Sequence, residues 1–374
     1  MEQEIPEIHF PRIFHKMKSI QIKYPFRDEN NVMINIEKIF SEKPQYQLKV
    51  ISNSMLLTQA LEKTGIYPML KKEELNQKIL DFYRSEKIRE NEDSIVDYGH
   101  RSLFIAFDSN AVMNNIKYLT FSDLSQEDIQ KILFLLSRAT SHEFFFKANL
   151  VIKEEQNYRL HTLFQRNPYF AKLFPSSSQW KRYNKLNHRK TLGREGRKGV
   201  AGLIKYYEIS KDNALIAKFH HHPYYHEPIL RRLQAETTVI GIDSIYDALI
   251  LSEFEQFLAS TNAHIIFLTG DKNLATMAKI LGIDTFLVEF EHDEKKVKEG
   301  VTVTEEQIAR LISEMAVEYD ALEFTVEQEH GAKKTFLLSF ADKAIHSKEF
   351  KEFAFLYSVK QHKLFRLKLI FTQS

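Results

Sequence analysis

Two apolar runs, each followed by an acid, constrain this chain more than any other feature. Leu103, Phe104, Ile105, Ala106 and Phe107 form a short continuous apolar segment that ends on Asp108. A run of that length without polar alternation is the pattern of a central strand covered on both faces in a parallel sheet. Far downstream, Ile265, Ile266, Phe267 and Leu268 repeat the pattern, followed by a turn, the acid Asp271 and an amphipathic helix. Open α/β sheets take their ligands at the carboxyl ends of the strands, so the two strand ends are expected to bring their carboxylates together. Between them, Tyr246-Asp247-Ala248-Leu249-Ile250 is an acid opening an apolar helix. The expected core is therefore a carboxylate site on a parallel sheet.

The segments between these runs fill in the sheet. Leu124 to Ala139 reads as a helix with Ile129, Ile132, Leu133, Leu135 and Leu136 on its apolar side, and Glu143 to Ile152 supplies the next strand or its exit. Lys153 to Phe164 has helical spacing with Glu154 and Glu155 at its start, where acids complement the helix dipole. Thr237 to Asp243 is a short β-branched segment before the helix Tyr246 to Leu258. Asp243, with Ser244 beside it, is the natural cap of that helix, leaving Asp247 for chemistry.

Composition narrows the classes. At 374 residues the chain exceeds one typical domain, and no apolar run approaches the about 20 residues that span a bilayer. The start, MEQEIPEI, carries acids where a signal peptide carries positive charge, so a cytoplasmic protein without membrane association is expected. The absence of cysteine removes disulfides, thiolate zinc, iron–sulfur clusters and cysteine nucleophiles. Catalysis is left to Asp, Glu, His, Lys or Ser.

The flanks read as separate accessory units. Residues 1–95 suggest a mixed, mainly helical domain. Ser54 caps a helix carrying Met55, Leu56, Leu57 and Leu61, Gly65 lies where its C-terminus needs a left-handed residue, and a second helix runs from about Lys71 to Lys87. Residues 299–374 suggest a small α+β module. Thr304 and Gln307 form a capping box, and alternating segments follow at Leu322 to Val326, Thr335 to Ser339, Phe353 to Ser358 and Leu364 to Phe371.

The acids now carry a family resemblance. FIAFDSNAVMN resembles the first motif of PIN-domain ribonucleases, Asp247-Ala248-Leu249-Ile250 is similar to their central helix motif, and IIFLTGDKNLATMAKILGIDTFLV resembles their last acidic motif with its helix and final strand. The resemblance implies a PIN-like three-layer α/β/α domain with a central parallel sheet over residues 96–298. It implies that Asp108, Asp247 and Asp271 hold Mg²⁺ or Mn²⁺ with a helix Glu after the second strand, here Glu154 or Glu155. Asp243 is a further candidate ligand, and Ser109 and Asn110 are supporting neighbours. Carboxylates so close require a cation, and hard oxygen donors suit these ions. The implied activity is metal-dependent hydrolysis of phosphodiester bonds in RNA, leaving a 5′-phosphate and a 3′-hydroxyl.

An insertion at 165–236 interrupts that domain. Lys181 to Lys205 holds nine Lys or Arg residues against one acid, Glu195, with glycine at 193, 196, 199 and 202. Lys181, Arg182, Lys185, Arg189, Lys190, Arg194, Arg197 and Lys198 are expected to contact phosphates of single-stranded or structured RNA, with Trp180, Tyr183, Tyr206 and Tyr207 able to stack on bases. His220, His221, His222 and His226 form a further cluster, whose helical metal geometry Pro223 interrupts. A homo-oligomer or a protein inhibitor fits such a nuclease. Two other readings stay open. GDKNLATMAKILGI also resembles the last motif of haloacid-dehalogenase-like phosphatases, although Asn110 stands where their second nucleophile-loop Asp is needed. The fold also suits a non-catalytic nucleic-acid-binding or regulatory protein.

Overall fold

The computed structural model describes residues 2–4, 17–24, 32–39, 45–52, 54–91, 102–121, 132–148, 194–211, 214–217, 239–319, 321–341 and 366–372. In chain order the elements begin with β1 (Glu2–Glu4), β2 (Met17–Lys23), β3 (Val32–Ile39), β4 (Gln45–Val50), α1 (Met55–Lys63) and α2 (Lys72–Asn91). Next come β5 (Ser102–Phe107), α3 (Ser109–Met113), α4 (Ile116–Phe121), β6 (Leu133–Ser137), α5 (Arg138–Ala148), α6 (Arg194–Lys211) and β7 (Ala214–Ala217). Then follow α7 (Val239–Ser260), β8 (Ala263–Thr269), α8 (Lys272–Ile280), β9 (Asp284–Leu287) and α9 (Glu294–Glu299). The last are β10 (Val301–Val303), α10 (Glu305–Glu318), β11 (Ala321–Gln328), β12 (Lys333–Ala341) and β13 (Arg366–Thr372). Among the described residues no helix is long and apolar enough to cross a membrane.

The chain divides into two compact units. One is formed by Met69–Phe145 and Gly202–Glu291, the other by Met1–Pro68, Phe146–Ala201 and His292–Ser374. The first is an α/β unit around a five-stranded sheet in the order β7-β6-β5-β8-β9, with every adjacent pair parallel. The apolar runs explain the centre of this sheet: Leu103 to Phe107 and Ile265 to Leu268 are all buried, as strands covered on both faces must be.

Two expected elements differ. The second strand is Leu133–Ser137, inside the stretch expected to be helix, and helix occupies Arg138–Ala148, where a strand was expected to start. Ile132, Leu133 and Leu136 satisfy helical spacing, but the contiguous run LFLL pairs beside β5 as a buried strand. Within the β-branched segment before Asp247, α7 already begins at Val239.

The second unit overturns the division into separate terminal modules. Its sheet has eight strands in the order β1-β13-β12-β11-β2-β3-β4-β10. β2 pairs antiparallel with β11, matching Ile22 to Phe324 and Ile20 to Val326, so the N- and C-terminal segments share one sheet. The region expected to be mainly helical therefore contributes strands that bury Met17, Ile20, Ile22, Ile34, Ile36, Tyr46 and Leu48. The expected caps are present: Ser54 accepts from Leu57 N–H at the start of α1, and Thr304 and Gln307 form the capping box of α10. Gly65 holds φ at 72°, a conformation that favours glycine. The strand expected at 353–358 lies outside the described residues.

The basic, glycine-rich stretch also takes a different form where it is described. From Arg194 it is helix, and Arg197 is only 4% exposed. Its Nε donates to Val317 O at 2.8 Å and its Nη2 to Glu318 O at 3.3 Å, satisfying carbonyls at the end of α10. Glu318 receives Lys63 Nζ at 2.6 Å and Arg194 Nε at 2.7 Å. Burial alone would raise the Glu318 carboxyl, but Lys63, Lys198 and Arg194 overcome it and hold it at about 2. A carboxyl whose pKa is depressed on folding stabilises the fold above its unfolded value and loses that contribution as pH falls through the folded one. Glu318→Gln is expected to lower unfolding free energy at pH 7 by on the order of 3 kcal/mol, and the gap from the parent should close as pH falls toward about 2. Urea titrations across that range would measure it.

Candidate carboxylate site

β5 and β8 lie side by side with Phe107 opposite Leu268. The chain leaves β5 toward β6 on one side and leaves β8 toward β9 on the other. That reversal makes a topological switch point, where the carboxyl ends of open α/β sheets form a ligand crevice. Asp108 and Thr269 emerge there as neighbours.

Asp108 is 1% exposed and caps α3. Its Oδ1 accepts the Ala111 N–H at 2.5 Å and its Oδ2 accepts the Thr269 hydroxyl at 2.5 Å. The same Thr269 oxygen accepts the Asp271 N–H at 3.0 Å, so one buried hydroxyl links the two acids. Asp271 caps α8, its Oδ1 accepting Asn273 N–H at 2.7 Å and Leu274 N–H at 3.0 Å. The ends of the two apolar strands are thus adjacent, and the Thr269 hydroxyl joins the Asp108 carboxylate to the backbone of Asp271.

Two further acids bear on Asp108 from the helices. Burial, the largest influence, pushes the Asp108 carboxyl up to about 7; the bonds from Thr269 and Ala111 pull against this, and the charges of Asp247 and Glu143 add to it. Asp247 lies on α7, partly exposed. Glu143 lies on α5, 3% exposed, and accepts the hydroxyl of Ser109, the buried residue after Asp108. Tyr246, also buried, has its phenol pushed up by burial and then by the Glu143 charge. Asn110 is exposed at the start of α3.

Glu143 is the residue that sequence reasoning missed. With β6 read as helix and α5 as strand, the helix acid after the second strand is expected at Glu154 or Glu155, eleven or twelve residues beyond Glu143. Glu154 and Glu155 lie outside the described residues, and Glu143 is an acid on the helix that follows β6. The signal was SRATSHEFFF directly behind the buried run LFLL. Asp243 is one turn before Asp247 inside α7, so it does not cap that helix.

The expected nucleic-acid contacts divide in the same way. Lys181, Arg182, Lys185, Arg189, Lys190, Trp180, Tyr183 and the four histidines lie outside the described residues. Arg194 and Arg197 are engaged with Glu318 and the end of α10, and Lys198 makes an ion pair with Glu195 at 3.6 Å. Tyr206 is wholly buried, so its ring is not available to a base.

Among the described residues no three His, Asp or Glu side chains stand grouped as metal ligands. The donor chemistry nevertheless fits a hard divalent cation, since the acids that influence one another offer carboxylate oxygens only. A buried carboxyl raised to about 7 beside two other acids also marks a place where added positive charge is favourable. Comparison of the chain with family models, curated proteins and solved structures gave no match.

Raising an acid's pKa on folding means that the folded state holds the proton longer, so stability falls as pH rises between the unfolded and folded values. Asp108→Asn removes that charge while keeping an acceptor for Ala111 N–H. In chelator, its melting temperature should match the parent's near pH 4, within the range of an ordinary carboxyl, and exceed it above about pH 7. Equal melting temperatures at both pH values would overturn this account of Asp108.

Proposed function

We propose that the parallel-sheet unit is a PIN-like, divalent-metal-dependent nuclease acting on RNA. The observation that supports the reading is that the buried Asp108 carboxyl feels the charges of Asp247 and Glu143, while its Thr269 partner also accepts the backbone N–H of Asp271. The order of strand-end acid, helix acid, helix acid and strand-end acid agrees with the motifs that the sequence resembles, once Glu143 takes the second place.

Asp108, Glu143, Asp247 and Asp271 would hold Mg²⁺ or Mn²⁺. When bound, such a cation would polarise a phosphate and lower the pKa of a coordinated water. The chain's own residues do the rest. Ala111 N–H and Thr269 Oγ fix the orientation of the Asp108 carboxylate, and Ser109 fixes that of Glu143.

The test is cleavage of labelled single-stranded RNA and DNA in Mn²⁺, Mg²⁺ or chelator, with Asp108→Asn, Glu143→Gln and Asp247→Asn beside the parent. Metal-dependent cutting of RNA that falls about 100-fold or more in each variant is expected. Binding without cutting, unchanged in chelator and in all three variants, would instead favour a non-catalytic nucleic-acid-binding protein.

A further inference from the structure

The helices that carry Glu143 and Asp247 are fastened to each other by another buried acid. Glu253 lies on α7, six residues after Asp247, and is 6% exposed. Its Oε2 accepts the Ser137 hydroxyl at 2.5 Å and the Ala139 N–H at 3.1 Å, and the Arg138 N–H also bonds to the carboxylate. Ser137 ends β6, and Arg138 and Ala139 begin α5. Glu253 therefore caps α5 from a different helix.

An ionisable group is costly to bury, and an apolar side chain would fill the same space without that cost. What the carboxylate adds is direction. Apolar packing sets how closely two helices approach, whereas bonds from three successive residues also resist sliding and rotation of the first turn of α5. Glu143 follows Ala139 by one turn, and Asp247 precedes Glu253 by less than two.

We propose that Glu253 is a positioning residue, which sets the separation of Glu143 from Asp247 by tying the first turn of α5 to α7. The proposal rests on the reading of those two acids as holders of a divalent cation. The Ser137 and Ala139 bonds both fall on Oε2, and an amide oxygen also has two lone pairs. Glu253→Gln therefore keeps those two bonds without the charge. Glu253→Leu fills the space and loses the tie, and Ser137→Ala removes one bond of it.

The experiment measures Mn²⁺ affinity of the full chain by titration calorimetry, with thermal unfolding of the same samples. Glu253→Gln should bind within about twofold of the parent. Glu253→Leu should bind about 10- to 100-fold more weakly, and adding Ser137→Ala to it should change little further, since both act through one contact. A Glu253→Leu protein that melts earlier yet binds Mn²⁺ like the parent overturns the proposal, because a purely structural acid behaves in that way. So does a Glu253→Gln protein as impaired as Glu253→Leu. Should Glu253→Leu fail to fold, Ser137→Ala decides: weaker binding supports the tie and parental affinity overturns it. A parent chain that binds no Mn²⁺ overturns the cation reading itself, and the proposal falls with it.

Discussion

Burial of the Asp108 carboxyl at the junction of two parallel strands is the constraint on which the rest of the site depends. Keeping that group ionised out of water at neutral pH costs on the order of a few kcal/mol, a large share of the about 5–15 kcal/mol that holds a typical domain together. The fold offsets part of this with the Ala111 N–H and the Thr269 hydroxyl. Those donors fix where the first turn of α3 begins and how β8 ends. Asp271 then follows through its N–H bond to the same Thr269 oxygen. The geometry of the strand-end acids is thus a consequence of satisfying one buried charge.

The parts of this site that were legible in the sequence are those in which a local pattern had one interpretation. Five contiguous apolar residues before Asp108 and four before the turn to Asp271 fit a buried parallel strand better than a helix, and both strands lie at the centre of the sheet. LFLL at 133–136 was ambiguous, since preceding isoleucines extend it into a helical pattern. That ambiguity points to a helix acid at Glu154 or Glu155 and passes over Glu143, which α5 carries. The basic helix failed for another reason. Charge along a sequence does not reveal that Arg194 and Arg197 meet a buried carboxylate and two backbone carbonyls more than a hundred residues away.

The same limit applies to the eight-stranded sheet. MKSIQIK and QYQLKV alternate apolar with polar residues, and alternation suits a sheet with one buried face. Nothing local says that the partner of the first is a strand beginning at Ala321. Charge pairing in that unit is similarly long-range. Lys63 and Arg194 reach Glu318 from α1 and α6, so three distant segments supply one buried ionic contact. Removing Glu318 would take from Lys63 and Arg194 the carboxylate that they share.

The pairing of β2 with β11 also bears on how the protein is made. About 300 residues separate Ile20 from Val326, and closing so long a loop is entropically slow compared with local contacts. During synthesis β2, β3 and β4 leave the ribosome well before β11 exists. In the interval β2 exposes an edge that its neighbour will later cover, the kind of edge that invites association with other chains. The strands of the parallel sheet, by contrast, all lie within residues 102–287 and are complete before β11 is made. The α/β unit is thus placed to fold first, while the antiparallel sheet waits for β11.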